Sequence, residues 1–94
     1  MMNRFAIYRY VIIDRCLANH AEPMTKAEIT ERVNECLRDK GLGEVTLRTI
    51  TKDLADLRER LFFDAPIKLV RDSTNAVRYR YGIPNYSIFT VNTI

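Results

Sequence analysis

Residues 46–52, read TLRTITK, place three hydroxyls, Thr46, Thr49 and Thr51, beside one guanidinium, Arg48, and one ammonium, Lys52. An arginine fork donates paired hydrogen bonds to a phosphate or a guanine edge, a lysine supplies a point charge, and a hydroxyl both donates and accepts. Such a group suits holding a polyanion and has no means of cleaving one. A second basic group follows in residues 64–84, where Lys68, Arg71, Arg78 and Arg80 outnumber Asp64 and Asp72, whereas residues 22–39 hold Glu22, Glu28, Glu31, Glu35 and Asp39. The net charge of +3 permits a nucleic-acid partner without demanding one, so the distribution matters more than the sum.

Groups for catalysis are poor by comparison. His20 is the single histidine and reads as a solvated loop residue. Cys16 and Cys36, with one histidine between them, do not make a zinc site, and their apolar neighbours predict reduced, buried thiols. The three glycines, at positions 41, 43 and 82, fit turns and not a phosphate cradle. Asp53 and Asp56, next to Lys52 and Arg58, read as a surface charge network. No enzyme, cofactor or metal is expected. No apolar run has membrane-spanning length and the N-terminus lacks the pattern of a signal peptide, so a cytoplasmic protein is expected.

The elements that must position the basic groups follow from periodicity. Leu47, Ile50, Leu54, Leu57 and Leu61 recur at three- and four-residue spacing and predict one buried stripe on a helix over 46–62. Thr46 is its N-cap, and Val45 with Ile50 forms a hydrophobic staple. Arg48, Lys52, Ala55 and Glu59 then share the opposite face. Upstream, Thr25 and Glu28 make a capping box with Met24 and Ile29 as the staple, and Ile29, Val33, Cys36 and Leu37 carry the buried stripe. Gly41 and Gly43 end that helix in a short turn. Two capped helices joined in this way form a helix-turn-helix unit.

A first helix is predicted over 3–19, with Phe5, Ala6, Tyr10, Ile13, Cys16 and Leu17 on its buried side. Ile7, Tyr8 and Val11 give it a second apolar face, which the tail residues Ile88 and Phe89 or a second protomer should cover. After Pro66, residues 67–71 and 77–81 read as two strands joined by a turn at Asp72, Ser73, Thr74 and Asn75. Alternation puts Val77, Tyr79 and Tyr81 on one sheet face, and Arg78 and Arg80 on the other. The expected architecture is mainly α with a small β-hairpin, a winged helix-turn-helix of three helices and a two-stranded wing. Residues 1–83 form the domain and residues 84–94 a tail or linker.

The order of these pieces resembles the winged helix-turn-helix domains of bacterial regulators, and more closely the N-terminal domains of WYL-domain transcriptional regulators of Bacteroides-like bacteria. The resemblance rests on Arg9-Tyr10, Ile13-Asp14, Cys16-Leu17 and Asn19 in the first helix, and on residues 45–54 in the third. Ala65-Pro66-Ile67, Tyr79, Tyr81 and residues 84–88 extend it. It implies a sequence-specific DNA-binding domain with helix 46–62 in the major groove and wing 67–81 on the backbone or minor groove. Double-stranded DNA and a second protomer are the implied partners. The chain has no Trp, so the sensor domain with the Trp-Tyr-Leu signature is not within it, and any effector ligand would belong to that missing C-terminal domain. The rival expectation is a winged helix that contacts another protein and no DNA.

Overall fold

A computed structural model of the chain describes residues 4–89. The elements run α1 (Arg4–Leu17), β1 (Met24–Thr25), α2 (Lys26–Asp39), α3 (Leu47–Arg58), β2 (Ile67–Arg71) and β3 (Val77–Tyr81). The sheet is antiparallel with strand order β1-β3-β2. The wing therefore has a third strand that sequence periodicity did not predict. Two residues are too short to show alternation, yet Met24 pairs with Tyr79 and Thr25 with Arg78.

The capping box forms as expected: the Glu28 amide donates to Thr25 Oγ1 at 3.1 Å and the Thr25 amide to Glu28 Oε1 at 2.9 Å. At the other end Gly41, with φ of 70°, lets its own amide reach the Arg38 carbonyl and the Leu42 amide reach the Leu37 carbonyl, which closes α2 with a left-handed cap. Thr46 caps α3, with its hydroxyl accepting from the Thr49 amide.

Ile50, Leu54 and Leu57 of α3 pack with Ile29, Val33 and Leu37 of α2 and with Ala6, Tyr10, Ile12, Ile13, Cys16 and Leu17 of α1 in one core. Three expected members lie outside it. Leu47 and Phe5 are about half exposed, and Leu61 is 94% exposed. The reason for Leu61 is backbone: Glu59 turns to φ −60°, ψ 125°, so α3 stops at Arg58 and not at 62. The chain then folds back, with the Asp64 amide on the Glu59 carbonyl and the Ala65 amide on the Leu57 carbonyl. This reversal stacks Phe62 and Phe63 edge-on against Tyr10, with ring centroids 6.1 and 5.6 Å away.

Tyr81 is fully buried, and its hydroxyl donates to the buried carboxylate of Asp14. Asp14 also accepts from Ser87 Oγ at 2.8 Å and from the Ile88 amide at 3.0 Å. A residue that interrupts an apolar helix face in the sequence is thus the anchor that fastens residues 86–89 to α1. Ile88 is half-buried against the core, while Phe89 and Ile7 remain 46% and 41% exposed. Tyr8 and Val11 are half-buried. Residues 1–3 and 90–94, which include parts of the expected first helix and tail, lie outside the described residues.

Candidate nucleic-acid interface

The outward face of α3 presents Arg48, Thr51, Lys52 and Ala55, all exposed, with Thr49 half-buried at its edge. Thr46 is exposed but committed to the cap, where its hydroxyl also lies 3.5 Å from that of Thr49. Thr51 Oγ1 donates to the Leu47 carbonyl at 2.9 Å, so its proton is used inward and its lone pairs are free to accept from outside. Lys52 Nζ lies 3.1 Å from Asp56 Oδ2, one turn on, yet its side chain is 77% exposed. An exposed pair of this kind is worth little and yields to a stronger anion. Among the described residues Arg48 has no ion-pair partner.

What orients this face lies behind it. Asp53 is 2% exposed and sits within the apolar stripe, where Arg9 of α1 grips it with two bonds, Nε to Oδ2 at 2.6 Å and Nη2 to Oδ1 at 3.0 Å. The expected surface network around Asp53 and Asp56 is therefore corrected: Asp53 is a buried, bidentate partner, and Asp56 receives the Tyr10 hydroxyl as well as Lys52. The Asp53 carboxylate holds the Arg9 guanidinium above its ordinary pKa, and burial with the two nearby acids pushes the Tyr10 hydroxyl up to about 12.

Asn34 of α2 is the second device. It is buried, its amide nitrogen donates to the Val45 carbonyl at 2.9 Å, and its oxygen accepts from the Val45 amide at 2.8 Å. One side chain thus satisfies both polar groups of the residue before the Thr46 cap and fixes where α3 begins. Sequence reading missed Asn34, although a polar residue beside Val33 and three before Leu37 carried the signal: on a buried face it must have a partner.

In the wing, register puts Lys68 opposite Arg80 and Val70 opposite Arg78 on the outer face. Ile67, Leu69, Arg71, Val77, Tyr79 and Tyr81 share the other face. Arg71 is thus on the opposite side from Lys68, and its Nη1 donates to the Asn75 carbonyl at 3.0 Å and to Asn75 Oδ1, bracing the turn. Arg78 is occupied inside the molecule: its Nε is 2.6 Å from Asp72 Oδ2, and its Nη1 is 2.9 Å from both Glu28 Oε1 and the Pro23 carbonyl. Among the described residues Lys68, which is exposed, has no ion-pair partner, and Arg80 makes only a bond to the Tyr81 carbonyl. The two cations face each other across the ladder, an arrangement that destabilises a sheet unless an anion lies over it.

Asp72 organises the wing tip. One of its oxygens accepts from the Thr74 amide and hydroxyl and from the Ala76 amide, while the other meets Arg78. The Thr74 hydroxyl and the Arg78 guanidinium hold this carboxyl well below the usual carboxylate range. Since the folded value lies below the unfolded one of about 3.9, its contribution is present above that pH and is lost as pH falls through the folded value. Carboxyl NMR titration should find Asp72 still ionised at about pH 3; an ordinary midpoint would remove this account of the wing tip.

His20, expected to be solvated, is half-buried, and its Nε2 is shielded and has no hydrogen-bond partner among the described residues. Cys16 is buried and Cys36 half-buried, both as free thiols. Among the described residues no helix is long and apolar enough to cross a membrane, and no group of three or more His, Cys, Asp and Glu is placed to hold a metal ion. The family model described as WYL domain-containing protein, N-terminal winged helix domain, matches residues 5–81. No curated protein and no solved structure matches the chain.

Proposed function

Since this chain belongs to the N-terminal winged helix domains of WYL domain-containing proteins, we propose that it binds double-stranded DNA through the outer face of α3 and the outer face of the sheet. The observation that carries the reading is selective charge pairing. Among the described residues Arg9, Arg32, Arg38, Lys52 and Arg78 are paired with carboxylates inside the domain, whereas Arg48, Lys68 and Arg80, on the two proposed surfaces, have no such partner. Unoffset cations on two exposed surfaces of a winged helix suit a phosphate backbone.

Arg48, in the first turn of α3 and without an ion-pair partner among the described residues, is the group for a base edge, where a bidentate contact to guanine discriminates by about 1–3 kcal/mol. Thr51 accepts a hydrogen bond beside it, Thr46 and Thr49 hold the helix start at the phosphate, and Lys52 exchanges Asp56 for a phosphate. Lys68 and Arg80 neutralise the backbone on the wing side, with Arg71 and Arg78 shaping the wing. The domain then serves a transcriptional regulator.

The experiment is selection of bound sequences from a random duplex pool, followed by titration of variants. Arg48→Ala should relax sequence preference, and Lys52→Ala should weaken all sequences alike. Equal wild-type affinity in both variants would falsify the assignment, and a domain that fails to bind duplex even at low salt would instead serve a protein contact.

We further propose that two protomers bind together, with Ile7, Tyr8 and Val11 of α1 and the tail residues Ile88 and Phe89 at their contact. Symmetric regulators read half-sites about one helical turn apart, so the selected sequences should be palindromic. Sedimentation should show a dimer that an Ile7→Asp, Val11→Asp pair dissociates. A monomeric wild type that selects single half-sites would sink the dimer and leave the DNA reading intact.

A further inference from the structure

Three sulfur side chains line one small cavity away from the proposed DNA surface. The cavity, of roughly 160 Å³, is bounded by Ile12, Arg15, Cys16 and Asn19 of α1 and its following turn, by Met24 of β1, and by Arg32 and Cys36 of α2. Cys16 lies one helical turn after Ile12 and Cys36 one turn after Arg32, so successive turns of α1 and α2 place both cysteines on the lining of this cavity, and Met24 is on it as well. We propose that Cys16, Cys36 and Met24 bind a soft, monovalent d10 cation of the cuprous class.

The donor set decides the class of metal. Thiolates and thioethers select cuprous and related soft ions, whereas zinc wants four nitrogen, oxygen or thiolate donors in a tetrahedron. No His, Asp or Glu lines this cavity. Two thiolates suffice for a near-linear cuprous ion, and a thioether adds a weak third bond. Charge is met as well: two thiols lose two protons to solvent, two copper–sulfur bonds form without change of oxidation state, and the resulting site of charge −1 has two cationic residues, Arg15 and Arg32, on its lining. Binding is therefore linked to proton release. Cys36, half-buried, gives the ion its way in.

The 94-residue chain, reduced and under anaerobic conditions, is titrated with cuprous ion against a chromophoric cuprous chelator. The expected result is one ion per chain, a thiolate-to-copper absorption band in the ultraviolet, and a rise in Tm, because a ligand that bridges α1, β1 and α2 binds only the folded state. Cys36→Ser should lose chelator-resistant binding, and Met24→Leu, which keeps the bulk of the side chain, should weaken it by about tenfold. Cys16→Ala should match Cys36→Ser; if that buried change impairs folding, Met24→Leu still decides. Failure of the wild type to compete, unchanged affinity in Met24→Leu, one ion per two chains, or an unaltered Tm would each overturn the site.

Discussion

Asp53→Ala is expected to remove a large share of the domain's stability. The Arg9 guanidinium has 14% of its side-chain surface exposed, and without Asp53 it would be left in the α1–α3 contact with no counter-charge. Breaking a buried pair by removing one partner costs about 3–5 kcal/mol, against a total of about 5–15 kcal/mol for a whole domain. The cost is the stranded charge and not the lost attraction, so the double variant Arg9→Met, Asp53→Leu should recover most of it. Urea unfolding of the two single variants and the double variant checks this, and single variants within about 0.5 kcal/mol of wild type would refute it. The pair also does what leucines cannot. A planar fork gripping both carboxylate oxygens fixes the rotation of α3 about its own axis, and that rotation decides whether Arg48 and Thr51 face outward together. The double variant should therefore fold well and bind duplex less selectively.

The same pair marks where the sequence was informative and where it was not. Spacing alone located Ile50, Leu54 and Leu57, because burial of apolar groups is periodic and local. The capping box at Thr25 and Glu28 was equally legible, since its partners are three residues apart. Asp53, Asn34 and Asp14 were not: each is a polar residue on a buried face, and its partner lies 44, 11 or 67 positions away. Periodicity could show that such residues needed partners, but not which ones. Strand β1 escaped for a related reason, as its pairing with Tyr79 and Arg78 is set by the docking of α2 and not by any pattern within Met24 and Thr25. The end of α3 escaped because Leu61 continues the heptad-like spacing while the backbone at Glu59 has already left the helix. The basic groups were found by composition, yet composition could not tell Arg78, held by Asp72 and Glu28, from Arg80, which no acid among the described residues holds.

That distinction predicts the largest effect on binding. Affinity for duplex falls with salt at a log-log slope of roughly −0.9 for each phosphate neutralised. With Arg48 on a base edge or a phosphate, and Lys52, Lys68 and Arg80 on the backbone, one protomer engages up to about four phosphates, so its slope should be near −3.5, and near −7 for two protomers bound together. Raising salt fourfold should then weaken a single protomer by on the order of a hundredfold. Lys68→Ala and Arg80→Ala should each make the slope shallower by about 1, and each should leave the fold intact or slightly more stable, because either change relieves the like-charge pair across β2 and β3. Arg78→Ala should behave in the opposite way. Its charge is already offset by two carboxylates, so the slope should stay at the wild-type value while Tm falls, as the wing tip and the start of α2 lose the side chain that joins them. Filter binding or anisotropy over a salt series, with thermal unfolding of the same variants, separates these roles. A wild-type slope shallower than about −2 would mean that the wing does not lie on DNA, and a slope change in Arg78→Ala equal to that in Arg80→Ala would mean that DNA takes Arg78 away from Asp72 and Glu28.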